Sequence, residues 1–325
     1  MAKRALFVTF ISLLLLLFVS GVLSATFTII NKCGQTVWPG VLSSAGISPL
    51  DTTGFVLEKD ESKALNVPTS WSGRLWGRTH CTQDSTGKFT CISGDCGSGK
   101  LECAGAGAAP PATLAEFTLN GAGGLDFYDV SLVDGYNLPM LVVAEGGTGG
   151  NCSTTGCVVD LNGVCPNDLK VLSEDGSHVA CKSACGAFGD PQYCCSGAYG
   201  NPNTCKPSSY SEFFKNACPR AYSYAYDDGT STFTCASANY VITFCPSLST
   251  SKKATKNPEA ADLPLFNTTM IFLGGEDVSG ASSTTRVAHV QFIGGAVAVL
   301  SLVGIPPYNL EVLGSKFLGC SITIE

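Results

Sequence analysis

TLAEFTLNGAGGLDFYDVSLVD, residues Thr113–Asp134, reads as two β-strands joined by a glycine-rich turn. Side chains alternate faces along a strand. Ala115, Phe117 and Leu119 therefore share one face, while Glu116 points the other way with Leu114 and Thr118. In the second run the apolar phase changes, as Leu125 and Phe127 give way to Val130 and Leu132. Such a slip predicts a bulge or bend, and bulges re-aim side chains. Four acids, Glu116, Asp126, Asp129 and Asp134, lie in this stretch. Carboxylates held on a rigid sheet suit a polar cleft. The plainer reading of the same acids is that they are solvated on a surface strand.

Outward from this stretch the β pattern recurs. Ala25–Pro39 is rich in β-branched residues and sets Phe27 and Ile29 against Thr26 and Thr28, which predicts a strand. Phe55–Val67 continues the pattern around a polar turn at Lys59–Ser62, and Leu75–Trp76 begins another strand flanked by Arg74 and Arg78. Cys81–Cys103 is dense in Cys and Gly and too poor in apolar residues for a core of its own, so it reads as a small stapled lobe. Cys152–Cys218 holds nine cysteines, many Gly and Asn, and short amphipathic pieces. Ser209 with Glu212 three residues on reads as a capping box opening a helix over Ser209–Asn216. Shorter helices are expected near Pro166–Val171 and Lys182–Phe188, and strands at Ala221–Tyr226 and Asn239–Phe244. The fold class is mainly β with a disulfide-rich insertion. Its sandwich core covers 25–78, 104–158 and 219–246, the stapled lobe 79–103, and the disulfide-rich lobe 159–218.

Composition fixes the compartment. Residues 1–24 read as a secretory signal: Lys3 and Arg4, an apolar run, then small residues at Ser24 and Ala25. Of 17 cysteines, 16 lie between Cys33 and Cys245, and Cys320 stands alone. An even, irregularly spaced set in a secreted chain predicts eight disulfides, not a metal centre. His80 and His178 group with no cysteine pair, so no metal and no cofactor are expected. Residues 25–246 carry 20 Asp/Glu against 12 Lys/Arg, an acidic balance that phosphate backbones would repel, so nucleic acid is excluded as a partner. No G-x-S-x-G elbow or phosphate-cradling glycine loop is present.

Beyond Pro246, residues 247–286 read as a linker, Ser/Thr/Lys/Pro-rich over Ser249–Pro264, with a glycosylation sequon at Asn267 and a weaker one at Asn151. Residues 287–325 form a hydrophobic C-terminal segment. Its apolar run Phe292–Ile305 is short for a membrane helix, which needs about 20 residues. Small residues, a polar spacer and that run resemble a GPI-attachment signal, an attachment of the protein to the plasma membrane. The partly polar Pro306–Glu325 departs from such a signal, and a tail without function is the alternative.

The run Gly87-Lys88-Phe89-Thr90-Cys91-Ile92-Ser93-Gly94-Asp95-Cys96, followed by Gly99 and Cys103, resembles the signature of the thaumatin-like, pathogenesis-related proteins of plants, with Ser93 where the family usually has Thr. ATF at Ala25–Phe27, TLAEF at Thr113–Phe117 and CPRAYSYAYDD at Cys218–Asp228 are similar to that family too. The resemblance spans Ala25–Pro246 and all 16 cysteines in order. It implies a thaumatin-like β-sandwich and the pairings Cys33–Cys245, Cys81–Cys91, Cys96–Cys103, Cys152–Cys235, Cys157–Cys218, Cys165–Cys181, Cys185–Cys194 and Cys195–Cys205. Spacing alone could not choose among pairings.

The resemblance further implies an acidic cleft lined by Arg74, Glu116, Asp129, Asp134 and Asp227, with Arg78 close to Arg74 in sequence. It implies a secreted, monomeric, antifungal protein of the extracellular space or cell wall, binding β-1,3-glucans of fungal walls or other wall and membrane components. Some members resemble weak endo-β-1,3-glucanases. For that chemistry two carboxyls must flank the bond, one keeping its proton. Glu116 would be the general acid and Asp129 or Asp134 the base or nucleophile, while Arg74 orients a carboxylate. Binding without turnover would use the same acids, with Phe127, Tyr128, Tyr222 and Tyr226 offering ring faces. A third reading is inhibition of foreign hydrolases or partner binding through a surface loop.

Overall fold

Alternation governs the first strand of the computed structural model, which describes residues 24–247. Among these residues the strands are β1 Ser24–Asn31, β2 Trp38–Ser43, β3 Ser62–Pro68, β4 Ser72–Gln83, β5 Phe89–Ser93, β6 Leu114–Thr118, β7 Asp126–Ser131, β8 Met140–Glu145, β9 Thr155–Cys157, β10 Lys170–Leu172, β11 His178–Cys181, β12 Phe233–Cys235 and β13 Asn239–Phe244. In β1, Ala25, Phe27, Ile29 and Asn31 are buried and the residues between them are not. Two large sheets result. One runs β3-β1-β13-β8-β9; the other runs β12-β7-β6-β4-β2 with β5 paired to β4. Only the β1–β13 pairing among these is parallel. The architecture is mainly β, as the sequence implies.

The sheets meet through aromatic rings. Phe27 and Tyr240 project from the first sheet, Phe117 and Tyr128 from the second. Ring centroids lie 4.4 Å apart for Phe27–Phe117, 5.1 Å for Phe117–Tyr240 and 5.1 Å for Tyr128–Tyr240. All four side chains are essentially inaccessible. Their polar ends are satisfied: Tyr128 Oη donates to Ser153 O at 2.6 Å and Tyr240 Oη to Asp126 at 2.9 Å.

That packing accounts for a correction. The phase slip in Leu125–Leu132 predicted a bulge, but β6 and β7 pair in unbroken register from Leu114↔Ser131 to Thr118↔Phe127. The inner face of β7 is Asp126, Tyr128 and Val130. A carboxylate bonded to Tyr240 stands where an apolar residue would keep the pattern regular. Tyr128, expected to offer a ring face to a ligand, is therefore core.

Other expectations shift in detail. Ala25–Pro39 is not one strand: it breaks at Asn31, whose side-chain amide donates to Gln35 O and Leu57 O, both at 2.9 Å, and whose carbonyl accepts from Cys33 N. The helix expected from Ser209 is Ser209–Ala217, but its cap is Ser208, boxed with Ser211 rather than with Glu212. Near Pro166–Val171 a single 3₁₀ turn leads straight into β10, while Lys182–Phe188 does contain a helix, Ala184–Phe188. Ala221–Tyr226 is not a strand. It makes one bridge, Ser131↔Tyr222, then turns.

All eight disulfides form, in the pairing the resemblance implies. Cys33–Cys245 ties the residues just beyond β1 and β13. Cys81–Cys91 crosses the β4–β5 hairpin, and Cys96–Cys103 closes the loop after it. Fully buried Arg78 fastens this stapled region to β2: its Nε donates to Trp38 O at 2.9 Å and its Nη2 to Leu101 O at 2.6 Å. Burial lowers its pKa to about 10 against the pull of Asp95 and Glu102. The signal segment to residue 23, the linker, Asn267, the apolar tail and Cys320 lie outside the described residues.

Phe117→Ala removes the ring central to the inter-sheet cluster. It should cost about 3–5 kcal/mol, read as a lower guanidinium midpoint with the disulfides intact. A loss within about 1 kcal/mol would show that the bridges, not the aromatic packing, set the stability.

Candidate functional site

Three adjacent strands of the second sheet place three charged residues in one row. Arg74 of β4 pairs with Glu116 of β6, and Glu116 pairs with Asp129 of β7. Directly opposed side chains have Cβ atoms about 5 Å apart, so Arg74, Glu116 and Asp129 cross the outer face of the sheet as neighbours. Asp134 joins them from the turn after β7. That turn is closed by Gly135 N to Leu132 O at 2.9 Å. Gly135 has φ +90°, and a Cβ there would lie 2.7 Å from Cys181 O, so the turn requires glycine.

Two adjoining hollows share this row. One, about 500 Å³, runs past Ser44, Ser72, Thr118 and Phe127. The other, about 700 Å³, runs past Ser131, Asp134, Tyr222 and Asp228. Together they form a groove with Arg74, Glu116 and Asp129 at its middle and hydroxyl groups towards both ends.

Arg74 Nε lies 3.8 Å from Glu116 Oε1 and its Nη1 lies 4.0 Å from Asp134 Oδ2, with all three side chains about 40 % exposed (42 %, 37 % and 43 %). Long, solvated pairs of this kind contribute at most about 1 kcal/mol. Arg74 therefore shapes the field of the groove more than it holds the fold. Burial raises the Glu116 carboxyl above its ordinary range; Arg74 opposes this and Asp134 adds to it. Asp129 is lifted well above the ordinary range by burial first, then by Glu116 and Asp228. Its Oδ2 is buried without a hydrogen-bond partner. An unpartnered buried oxygen beside two carboxylates favours the protonated form.

The structure does not bring Asp227 into this lining. Its Oδ2 accepts from Lys215 Nζ at 2.8 Å, from Ser223 N at 3.0 Å and from Ser223 Oγ at 3.1 Å, which fixes the 223–227 turn. Asp228 stands in the groove instead, where Tyr222 Oη donates to it at 2.8 Å. Two consecutive aspartates gave the sequence no way to tell the turn-former from the groove residue. Arg78, the rival of Arg74, is buried on β4 against β2 and the stapled region and does not line the groove. Phe127 and Tyr222 line the groove, while Tyr226 does not. Asn151 is exposed in the loop before Cys152, where its side-chain oxygen accepts from Thr234 N at 3.4 Å. Among the described residues no group of His, Cys, Asp and Glu is arranged to hold a metal ion, and no helix is long and apolar enough to cross a membrane.

Two packed sheets, eight bridges and an acidic groove define a disulfide-stapled β protein with an open groove on one sheet. The sequence profile of the Thaumatin family matches residues 31–246. Thaumatin-like protein 1 of Arabidopsis thaliana is 60 % identical over 230 residues, covering 69 % of this chain and 87 % of the relative. Pathogenesis-related thaumatin-like protein 3.5 of Cryptomeria japonica is 58 % identical over 224 residues, covering 69 % and 91 %. A Prunus avium protein named glucan endo-1,3-beta-glucosidase is 53 % identical over 247 residues, covering 76 % and 100 %. The chain belongs to the Thaumatin family.

The Asp129 environment gives a pH test. The folded state holds a proton that the unfolded state releases at about pH 4, so this residue's contribution to stability falls as pH rises. Asp129→Asn removes that dependence. The variant should gain thermal midpoint over the parent progressively as pH rises above about 4. A difference that stays flat across the range would overturn the assignment.

Proposed function

We propose that the groove binds β-1,3-glucan of fungal cell walls and that the protein is a secreted, defence-type binding protein. The observation that carries this reading is the cross-strand row Arg74–Glu116–Asp129 at the middle of a groove open at both ends. A chain of sugar rings can lie along it, with hydroxyls donating to the carboxylates and accepting from Arg74. Charge-assisted bonds of this type are the stronger ones. The surplus of acid favours an uncharged ligand over an anionic polymer. The relative named glucan endo-1,3-beta-glucosidase supports the same ligand class.

The test is calorimetric titration of the protein with soluble β-1,3-glucan. Glu116→Gln and Arg74→Ala should each weaken binding about 10–100-fold, the range for a hydrogen bond to a charged group. Unchanged affinity in both variants would overturn the groove as the site.

A second reading, slow hydrolysis, rests on the raised proton affinity of two neighbouring carboxyls. Glycoside hydrolysis needs one carboxyl that keeps its proton and one that gives it up. Burial favours Asp129 as the proton holder, which leaves Glu116 as base or nucleophile, the reverse of the assignment expected from sequence. Reducing-end release from β-1,3-glucan that disappears in both Glu116→Gln and Asp129→Asn would establish turnover. No release at high protein concentration leaves binding alone.

A further inference from the structure

A separate hollow adjoins the groove at Val133. Val133 lines the groove and also lines this third, much smaller hollow on the helical, disulfide-rich lobe. Successive residues of one segment form the divide: Tyr222 and Ala225 face the groove, Ser223 and Tyr224 the further hollow. Tyr193 and Gln192 also line that hollow.

Tyr193 is also one of three rings in mutual contact at the surface. Its centroid lies 5.6 Å from Phe188 and 6.0 Å from Tyr210, and Phe188 lies 5.2 Å from Tyr210. Phe188 is 40 % exposed. Tyr210 Oη donates to Asp168 at 3.3 Å, and Asp190 lies between Phe188 and Tyr193 in the chain. These acids disfavour an acidic partner. Rings flanked by hydroxyls and carboxylates suit a ligand with apolar faces and hydroxyl edges.

The geometry points to a distal saccharide subsite in which Phe188, Tyr193 and Tyr210 extend the acidic groove onto the helical lobe and favour long, curved glucan chains. The inference rests on the groove reading above. The ring planes meet at 50°, 44° and 86°. A coplanar array would match the flat ribbon of a β-1,4-linked chain; a faceted one matches a β-1,3-linked chain, which coils. A chain already held at Glu116 reaches the rings at no further cost in translational freedom, so a second contact raises affinity for the polymer alone.

The test compares a β-1,3-linked trisaccharide, soluble β-1,3-glucan and a soluble β-1,4-linked oligosaccharide, titrated into the parent protein, Phe188→Ala, Tyr193→Ala and Tyr193→Phe, with thermal midpoints recorded. The parent should bind the β-1,3 polymer more tightly than the trisaccharide. Phe188→Ala and Tyr193→Ala should each lose about tenfold in polymer affinity, the scale of one aromatic contact, with trisaccharide binding unchanged. Tyr193→Phe should keep most of it. Polymer affinity equal to the parent's in both alanine variants would overturn the distal subsite while leaving the groove intact. So would a preference for the β-1,4 chain, or concentration-dependent dimerisation of the parent that Phe188→Ala abolishes without changing polymer affinity. Failure of the parent to bind either β-1,3 ligand would overturn the groove reading and this one with it.

Discussion

The register between β6 and β7 is the constraint on which the site depends. Phe117 opposes Tyr128 on the inner face, and one position along, Glu116 opposes Asp129 on the outer face. Strand side chains alternate with a period of two, so a slip of one residue would exchange the faces. The aromatic cluster forbids that slip, because shifting β7 by one residue would carry the Tyr128 ring into water and the Asp129 carboxylate into the core. Hydrophobic packing therefore holds like-charged groups side by side, an arrangement they would not adopt unaided. Burial first, and that repulsion second, raise the proton affinity of Asp129, while the sheet keeps its register.

The groove combines this rigid floor with walls from loops that local bonds hold. Asp134 depends on the Gly135 turn. Asp228 is placed by Tyr222 on one side and, through the preceding residue, by the Asp227–Lys215 pair on the other. Asp227 shares one carboxylate among four donors, Thr230 Oγ1 included, and is nearly closed from solvent, whereas the exposed Arg74 pairs are long. The first kind of contact fixes backbone and the second tunes charge. Adjacent residues of the same type, Asp227 and Asp228, thus do opposite jobs.

Much of the fold was legible in the chain because period-two burial is a strong signal where one face is apolar, as in Ala115-Phe117-Leu119. It misled where the core is polar: Asp126 and Tyr128 are inward but broke the apolar phase, and so imitated a bulge. The eight bridges came from family resemblance, since irregular spacing does not encode connectivity. Arg74, Glu116, Asp129 and Asp134 could be named in advance, yet only strand pairing aligns the first three in one row. Asp228 was hidden because a Ser223–Asp227 turn is a hydrogen-bonding pattern, not a composition. The Phe188–Tyr193–Tyr210 cluster was invisible because its members come from three separate short segments of a lobe with no periodicity.

The Cys33–Cys245 bridge has a mechanical meaning. Force applied between the two ends of the domain passes through β1 to Cys33 and leaves at once through Cys245, their Cα atoms 4.9 Å apart. The sequence between them, including every residue of the groove, lies outside the load path. The most that tension could draw out is β1 and the residue after it, roughly 30 Å of chain. A domain pulled by its ends would yield at one strand and keep its groove undeformed.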